Sequence, residues 1–487
     1  MTRNHLIIIL LLWLYSMHAF AFDLVKNDNA ATLYYTGNEL VVNTAIDLLI
    51  NDSKLICQKP FSITGNPENN TIIIGIPGRE PALKELTVKY GLDVSGLEGK
   101  WEAYKIQEIQ QNGHSYLFVL GSDPRGTAYG VLELSRQMGV SPWVWWADVQ
   151  PEKKTDVTFT ADGQVHVPSV QYRGIFLNDE DWGLMPWATH TFEPTSRRGA
   201  IGPETYSKMF ELMLRLRANV VCPAMHECTV PFYMVEGNKQ AAERYGIIIS
   251  TSHAEPMMRT NTGEWNSKER GPFNYFTNKD RILTYWDTRV QELTHSENIY
   301  TMGLRGIHDG RMQGVSSLDE ETRTLEKVIA EQRNILKKNN PEKELNHIPQ
   351  IFVPYKEVLE AYNNGLQLPD DITIVWCDDN HGHIMRLSDK EEQKRSGGAG
   401  VYYHISYWGK PHDYLWLAST QPGLIYSEMK RAWNHGARRY WVVNVGDLKP
   451  GEYLTEFFLD MAWDINSVSG NTIYSHQQNW IKNTFGN

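Results

Sequence analysis

From residue 172 onward, short apolar runs alternate with segments of helical periodicity, and polar residues close each run. Runs of this length and continuous apolar character are typical of parallel strands, whose two faces are both covered. Eight such strands are predicted, at residues 173–177, 219–223, 247–251, 299–304, 350–353, 372–376, 400–405 and 439–445.

Amphipathic helices are predicted between these strands, at residues 203–217, 239–245, 279–295, 318–338, 358–363, 389–395, 422–436 and 453–464. Eight strand–helix units across residues 166–465 fit an α/β fold of the (β/α)8 TIM barrel type. An open, doubly wound sheet is the alternative. The two differ in where functional residues gather, because a barrel places them at the ends of many strands and an open sheet at one switch point.

The segment before the barrel, residues 22–165, has a less regular pattern. Strands are predicted at residues 40–42, 71–76, 101–109 and 116–120, with a helix at 125–138. This mixture indicates a small α/β domain that precedes the barrel. Turn residues at 121–126 lead into the helix, but no G-x-G-x-x-G motif accompanies them, so the loop is not interpreted as a phosphate site.

The first residues resemble an export signal. A basic residue, Arg3, precedes an apolar run from Leu6 to Tyr15 and the small residues Ala19 and Ala21. The run is about half the roughly 20 residues that a membrane-spanning helix needs. We therefore expect residues 1–21 to be a signal peptide and Phe22 to open an exported, periplasmic or extracellular protein with no membrane segment after cleavage.

Composition narrows the function further. A net charge of -11 argues against nucleic acid as a partner, because such affinity comes from basic residues that neutralise phosphates. The 16 Trp and 24 Tyr suit the apolar faces of sugars, although core packing accounts for most of them. His226, His253, His381 and His383 are potential metal ligands, but sugar pockets also use histidines as donors, so we expect neither a metal nor a cofactor.

Polar side chains follow every predicted strand. In chain order they are Asn178 to Asp181, His226 with Glu227, His253, Arg305 to Asp309, Tyr355 to Glu357, Asp378 to His381, His404 with Tyr407, and Asn444 with Asp447. Some carboxylates precede glycines and are candidate turn formers. The whole set predicts one polar pocket at the ends of the strands. Several carboxylates among aromatic residues favour glycosidic bond cleavage, which needs a proton donor and a second carboxylate.

Four of these segments resemble glycoside hydrolase family 115, the xylan α-glucuronidases. They are residues 172–186 (YRGIFLNDEDWGLMP), 303–310, 376–382 and 402–409, within a resemblance that runs from about residue 30 to 465. The resemblance implies an inverting hydrolase that releases glucuronic acid or 4-O-methylglucuronic acid from α-1,2-linked side chains of glucuronoxylan or xylo-oligosaccharides. It also implies an amino-terminal α/β domain, the barrel, a helical domain and a β-rich region, often in a homodimer.

The resemblance further implies which residues line the pocket. These are Asn178, Asp179, His253, Arg305, Asp309, Glu357, Asp378, Asp379, Asn380, His404, Tyr407 and Asn444. As hypotheses, desolvated Glu357 is the general acid and Asp309 or Asp179 is the base. Arg305 either grips the substrate carboxylate or pairs with Asp309. His253 and Tyr407 are hydrogen-bond donors.

Only residues 466–487 follow the predicted barrel, so we expect the start of a truncated helical region and no dimer region. Two alternatives to an active xylan α-glucuronidase stay open. One is a catalytically impaired or carbohydrate-binding truncated homologue. The other is a glycosidase with a different sugar specificity, because barrel and pocket alone do not choose the sugar.

Overall fold

The computed structural model describes residues 21–407 and 418–486. Nearly all of the predicted signal peptide and the end of the fourth resembling segment, residues 408 and 409, lie outside these described residues. The signal peptide and its cleavage before Phe22 therefore stay predictions. Within the described residues, no helix combines the length and the apolar character needed to cross a bilayer.

Two small sheets and three helices form the amino-terminal part. The strands are β1 (Ala21–Lys26), β2 (Asn29–Ala30), β3 (Thr32–Tyr34), β4 (Ser62–Ile63), β5 (Thr71–Gly75), β6 (Tyr104–Gln111), β7 (His114–Gly121), β8 (Val157–Thr160) and β9 (Val165–His166). The helices are α1 (Leu40–Cys57), α2 (Pro81–Lys89) and α3 (Pro124–Met138). One sheet has the order β4-β3-β5-β7-β6-β9, with β6 and β9 antiparallel to their neighbours, and the other has the order β2-β1-β8.

The strand predicted at residues 40–42 is wrong, because these residues open helix α1. Val41 and Val42 share one buried helix face with Ala45, Ile46 and Leu49, a spacing of three to four residues. A window of three β-branched and apolar residues was too short to show this period. The predicted strands at 71–76, 101–109 and 116–120 and the helix at 125–138 correspond to β5, β6, β7 and α3.

Eight parallel strands form the second part of the chain. They are β10 (Tyr172–Leu177), β11 (Val220–Cys222), β12 (Ile248–Ile249), β13 (Tyr300–Met302), β14 (Gln350–Phe352), β15 (Thr373–Cys377), β16 (Ala399–His404) and β17 (Ala437–Gly446). Their order is β12-β11-β10-β17-β16-β15-β14-β13. The two outer strands meet at a parallel bridge between Ile249 and Asn298, where the Ile299 N–H donates to the Ile249 carbonyl at 3.0 Å. The sheet thus curls on itself, and the predicted barrel class is confirmed.

Helices cover the outside of this sheet. They are α4 (Leu184–Trp187), α5 (Pro203–Arg215), α6 (Asn238–Tyr245), α7 (Asn261–Glu264), α8 (Ser267–Arg270), α9 (Tyr275–Glu292), α10 (Leu318–Asn339), α11 (Glu357–Asn363), α12 (Pro422–Asn434), α13 (Glu452–Trp463) and α14 (Ile473–Phe485). The helix predicted at 389–395 is wrong, since only a 3-10 turn, Glu392–Lys394, forms there. Asp389 accepts the N–H groups of Glu391 and Glu392, and two glycines soon end the turn.

A buried ion pair joins the amino-terminal part to the start of the barrel. Arg173, in β10, donates to the Glu102 carboxylate at 2.7 Å, and both side chains are fully buried. Asn219 donates to both Glu102 oxygens at 2.9 Å. These residues lie at the amino-terminal ends of the strands, the face of a barrel that serves stability.

We expect Glu102→Gln to lower the free energy of unfolding by about 3–5 kcal/mol, because it leaves the buried Arg173 charge without its counter-ion. Denaturant unfolding measures this loss. The matched control is Glu39→Gln, which removes the partner of the half-exposed Arg79 and should cost at most about 1 kcal/mol. Equal small losses in both variants would contradict a role for the buried pair in joining the two parts.

Candidate active site

A cavity of about 550 Å³ opens at the carboxyl ends of the barrel strands. This is the end where barrel enzymes carry their chemistry, and the volume is typical of small-molecule sites. The cavity is lined by Phe176, Asn178, Asp181, Met225, His226, Glu227, Cys228, Ser252, His253, Ala254, Thr262, His308, Asp309, Tyr355, Lys356, Tyr402, His404 and Tyr407.

Asp309 lines the cavity as an ionised carboxylate. Its Oδ1 lies 2.8 Å from His253 Nε2, and it also accepts hydrogen bonds from Arg305 and Lys356. Burial raises the pKa of Asp309, but the hydrogen bond with His253 and the nearby positive charges outweigh burial, so the pKa lies well below its ordinary value. Burial also lowers the pKa of His253. A neutral His253 that donates from Nε2 matches both shifts.

Arg305 is the buried centre of this group. Its Nε and Nη2 donate to the two oxygens of Glu357 at 2.8 and 2.9 Å, while Nη1 bonds the Asp309 side chain. Nη2 also reaches the Asp309 carbonyl at 3.1 Å. Arg305 is only 2% exposed and does not line the cavity. The structure therefore places Arg305 in the pairing with Asp309 that the sequence left as one of two possibilities, and not as a free grip for a substrate carboxylate.

Glu357 is held by the same guanidinium. Both of its oxygens accept from Arg305, and the side chain is buried behind the cavity wall at the first residue of α11. A bidentate pair of this kind stabilises the charged carboxylate. Glu357 is buried, as the desolvation hypothesis requires, but it is buried together with a counter-ion, Arg305. The acid role of Glu357 stays a prediction.

Lys356 is the one Lys or Arg side chain on the cavity wall among the described residues. Its Nζ contacts Asp309 and lies 5.0 Å from the Tyr355 ring centroid. Its backbone has φ 51° and ψ -123°, a conformation that residues with a Cβ rarely adopt. Such strain costs on the order of 1–3 kcal/mol and gathers at functional sites. Lys356 stands between Tyr355 and Glu357 in the sequence, and no role was predicted for it.

His404 reaches the cavity from the end of β16 with a buried carboxylate behind it. Its Nδ1 lies 2.5 Å from Asp378 Oδ1. Asp378 Oδ2 accepts the N–H groups of Gly382 at 3.0 Å and of His404 at 3.1 Å. Asp378 does not line the cavity, although it was expected to bind substrate. Its position instead fixes the His404 ring so that Nε2 is the nitrogen available to a ligand.

Three further residues expected in the pocket support its walls. Asp379 accepts the N–H groups of His381 and His383 and forms the turn after β15. Asn380 accepts the Tyr355 hydroxyl at 2.8 Å, and Asn444 donates to the Tyr402 hydroxyl at 2.9 Å. Asp379, Asn380 and Asn444 do not line the cavity. Their amides and turn hold the two tyrosines that do.

Asp179 is fully buried and also lies off the cavity. Burial, together with the neighbouring charges of Asp181 and Glu180, raises its pKa to about 6, while His226 opposes the rise. The higher pKa makes Asp179 the stronger base of the two, but of these two carboxyls it is Asp309 that lines the cavity. Of the predicted set, Asn178, His253, Asp309, His404 and Tyr407 are therefore brought together around one cavity.

Asp181 and His226 also line the cavity, although the family resemblance did not include either of them among the pocket residues. His226 Nδ1 lies 2.9 Å from Asp181 Oδ1, and the His226 N–H donates to Glu180 Oε1 at 2.7 Å. Burial lowers the pKa of His226, but the hydrogen bond with Asp181 and the charges of the neighbouring carboxylates raise it overall. Both residues belong to the polar groups that follow predicted strands, so their position after a strand was the sequence feature that indicated the pocket.

The barrel segment matches the sequence model of glycosyl hydrolase family 115 over residues 166–487. The chain belongs to this family. A solved family 115 structure, described as a 4-O-methyl-α-glucuronidase with specificity for decorated arabinogalactans, is 45% identical with a TM-score of 0.89. The match covers 96% of this chain and 60% of that chain, so this chain spans less than two thirds of its family 115 relative. No curated protein sequence matches significantly.

Two solved structures outside family 115 share the fold at low identity. The β-hexosaminidase of Streptomyces plicatus, in complex with its product, is 10% identical with a TM-score of 0.53, over 95% of this chain and 92% of its own. CpGH84D is 11% identical with a TM-score of 0.52, over 96% of this chain and 72% of its own. These two structures show the architecture alone. The resemblance to family 115 found in the sequence is confirmed by the family model and by the family 115 structure.

Proposed function

We propose that this chain is an α-glucuronidase that hydrolyses the bond between glucuronic acid, or its 4-O-methyl form, and a plant polysaccharide. Family 115 membership and the activity in the relative's description support this proposal. The observation that carries it is the pairing, on one cavity wall, of an ionised carboxylate, Asp309, with a lysine, Lys356. A uronic acid is a sugar with one negative charge, and such a wall offers both a base and a cation.

Asp309 is the proposed general base in an inverting reaction. Its carboxylate takes a proton from water, the water oxygen attacks the anomeric carbon, and the bond to the leaving oxygen breaks. The leaving oxygen must receive a proton in the same step. Glu357 is the proposed donor, and it faces Asp309 across Arg305.

Lys356 is the proposed partner of the substrate carboxylate. Arg305 cannot take that part, because its donors are already bound to Glu357 and Asp309. Lys356 reaches the cavity and is about half exposed, so its ammonium can exchange Asp309 for a ligand. The Tyr355 ring beside it keeps the ammonium in place.

We expect Lys356→Met to raise the KM for an α-glucuronide about 30-fold and to leave kcat within a few-fold, since loss of one charge pair costs about 2 kcal/mol. Kinetics with the glucuronide and with the matching neutral α-glucoside measure the difference. The control is Lys394→Met, a surface lysine that pairs with Glu391. A variant that binds both substrates as the parent does would exclude Lys356 from uronate recognition.

For the polysaccharide, we propose α-1,2-linked glucuronic acid side chains of glucuronoxylan. The sequence resemblance favours xylan, whereas the relative's description names decorated arabinogalactans. Incubation of the full chain with both polymers, followed by chromatography of released uronic acid, separates them. Proton NMR during the first minutes tests inversion, for which the β-anomer must appear first. Release from arabinogalactan alone would replace the xylan proposal, and binding without release would favour a carbohydrate-binding protein.

Action outside the cytoplasm is likewise a proposal, supported by the sequence of residues 1–21.

A further inference from the structure

Three side chains on one side of the cavity form what we call the acidic corner: Glu180, Asp181 and His226. One ligand-type atom from each lies within 4.8 Å of the other two. His226 Nδ1 is 2.9 Å from Asp181 Oδ1 and 3.9 Å from Glu180 Oε2. Two ligands of one zinc ion lie at most about 4.4 Å apart, twice a metal–ligand distance of about 2.2 Å. The two measured pairs lie within this limit, and the 4.8 Å bound on the whole group lies close to it, so a small movement brings the three atoms to one ion.

A second observation points to a cation-binding site. Glu180 is fully buried, and its Oε2 has no hydrogen-bond partner among the described residues. This oxygen is the one that faces His226. A buried carboxylate oxygen without a donor costs about 1–3 kcal/mol, more when it is charged. Its other oxygen, by contrast, accepts the His226 N–H at 2.7 Å.

The local charge adds to the argument. Two more buried carboxyl groups, Asp179 and Asp447, lie near enough to interact electrostatically with Glu180. Among the described residues, the imidazole of His226 is the basic group that contacts Glu180 and Asp181 and interacts with Asp179. A divalent ion would add positive charge to this group of carboxyls and give Glu180 Oε2 a partner.

We propose that the acidic corner binds one divalent transition-metal ion through Glu180 Oε2, an Asp181 oxygen and His226 Nδ1. One nitrogen and two carboxylate oxygens suit Zn²⁺ or Mn²⁺, whereas Ca²⁺ takes oxygen ligands alone. On binding, Nδ1 loses its hydrogen bond to Asp181 and both atoms turn to the metal. This departs from the expectation of a metal-free pocket drawn from the sequence.

The acidic corner lies where a bound metal could contact the ligand of the cavity. Asp181 and His226 line the sugar cavity, so the open coordination positions of the metal face the ligand. Carboxylate and hydroxyl oxygens of a sugar acid are suitable ligands for such positions. This consequence rests on the proposed function, but the binding of the metal itself does not.

The experiment uses the full chain after dialysis against a chelator, followed by titration with ZnCl2 or MnCl2. We expect about one equivalent of metal by elemental analysis after gel filtration, and a rise of a few degrees in Tm at saturating metal. Asp181→Asn and His226→Gln should each weaken binding at least tenfold. The matched control is Asp162→Asn, which removes the carboxylate of the exposed His166–Asp162 pair and should not change metal binding.

The proposal is overturned if neither zinc nor manganese binds in a stoichiometric amount. It is also overturned if metal binding is unchanged in both Asp181→Asn and His226→Gln. Glu180→Gln tests the buried ligand where it folds. Asp181→Asn keeps the test decisive if Glu180→Gln does not fold, because the Asp181 side chain is partly exposed. Metal content and Tm are read without substrate. An inactive chain that binds metal would therefore contradict the proposed function alone.

Discussion

Asp309→Asn is expected to lower kcat/KM on an α-glucuronide by about 1,000-fold or more, with little change in Tm. General-base catalysis contributes roughly 10²–10⁴-fold, and an amide cannot take a proton from water. Stability should be preserved because the Asp309 side chain is almost half exposed and Arg305 keeps its bidentate partner Glu357. Steady-state kinetics and thermal unfolding of the same preparations measure both quantities.

The control for Asp309→Asn is Glu391→Gln, a carboxylate on the surface that pairs with Lys394. It should keep full activity. If Asp309→Asn retained more than a tenth of the activity, the base would have to be sought elsewhere, with Asp179 as the first residue to replace. If its Tm fell sharply, the loss of activity would report unfolding and not chemistry, and kcat would have to be compared at a temperature where both proteins are folded.

The acid side of the pH profile provides a separate check. The pKa of Asp309 is held well below its ordinary value, so the carboxylate stays ionised as the pH falls through 5 and 4. A loss of kcat/KM in mildly acidic solution must therefore come from another group. Asp309→Asn should retain the position of that limb in its residual activity.

The barrel was predictable because each strand is a continuous apolar run with a polar end. All eight predicted runs overlap a strand of the sheet. The shortest strand, Ile248–Ile249, shows how imprecise the predicted strand ends are. A strand of five residues was predicted at 247–251, but only two residues pair with β11. The errors at residues 40–42 and 389–395 have one cause, which is that a short window does not separate a helix turn from a strand or from a capped 3-10 turn.

The site was predictable as a region and less so residue by residue. Asp179 and Asp181 both follow β10, but one is fully buried off the cavity and the other lines it. Asp378 and Asp379 are adjacent in the sequence, yet the first orients His404 and the second forms a turn. Which neighbour faces the cavity depends on the loop backbone after each strand, and this information is not contained in residue type or spacing.

The Arg305 pairs depend on distance between strands, which sequence does not contain. Arg305 follows β13 and Glu357 opens α11 after β14, and these two strands are neighbours in the sheet. Adjacent strands bring their ends together, so contact was foreseeable. The choice of partner was not, because a guanidinium fits a protein carboxylate and a substrate carboxylate equally well.

Glu357→Gln is expected to lower kcat/KM about 1,000-fold on a natural side chain and less than tenfold on an aryl α-glucuronide with a good leaving group. The natural leaving group is a sugar hydroxyl, which departs only when it is protonated, whereas a nitrophenolate departs without help. The Gln side chain can still accept a hydrogen bond from Arg305, so the fold should be kept. Kinetics on the two substrate types measure the contrast.

Equal losses on both substrates would instead make Glu357 a positioning residue that fixes Arg305 and, through it, Asp309.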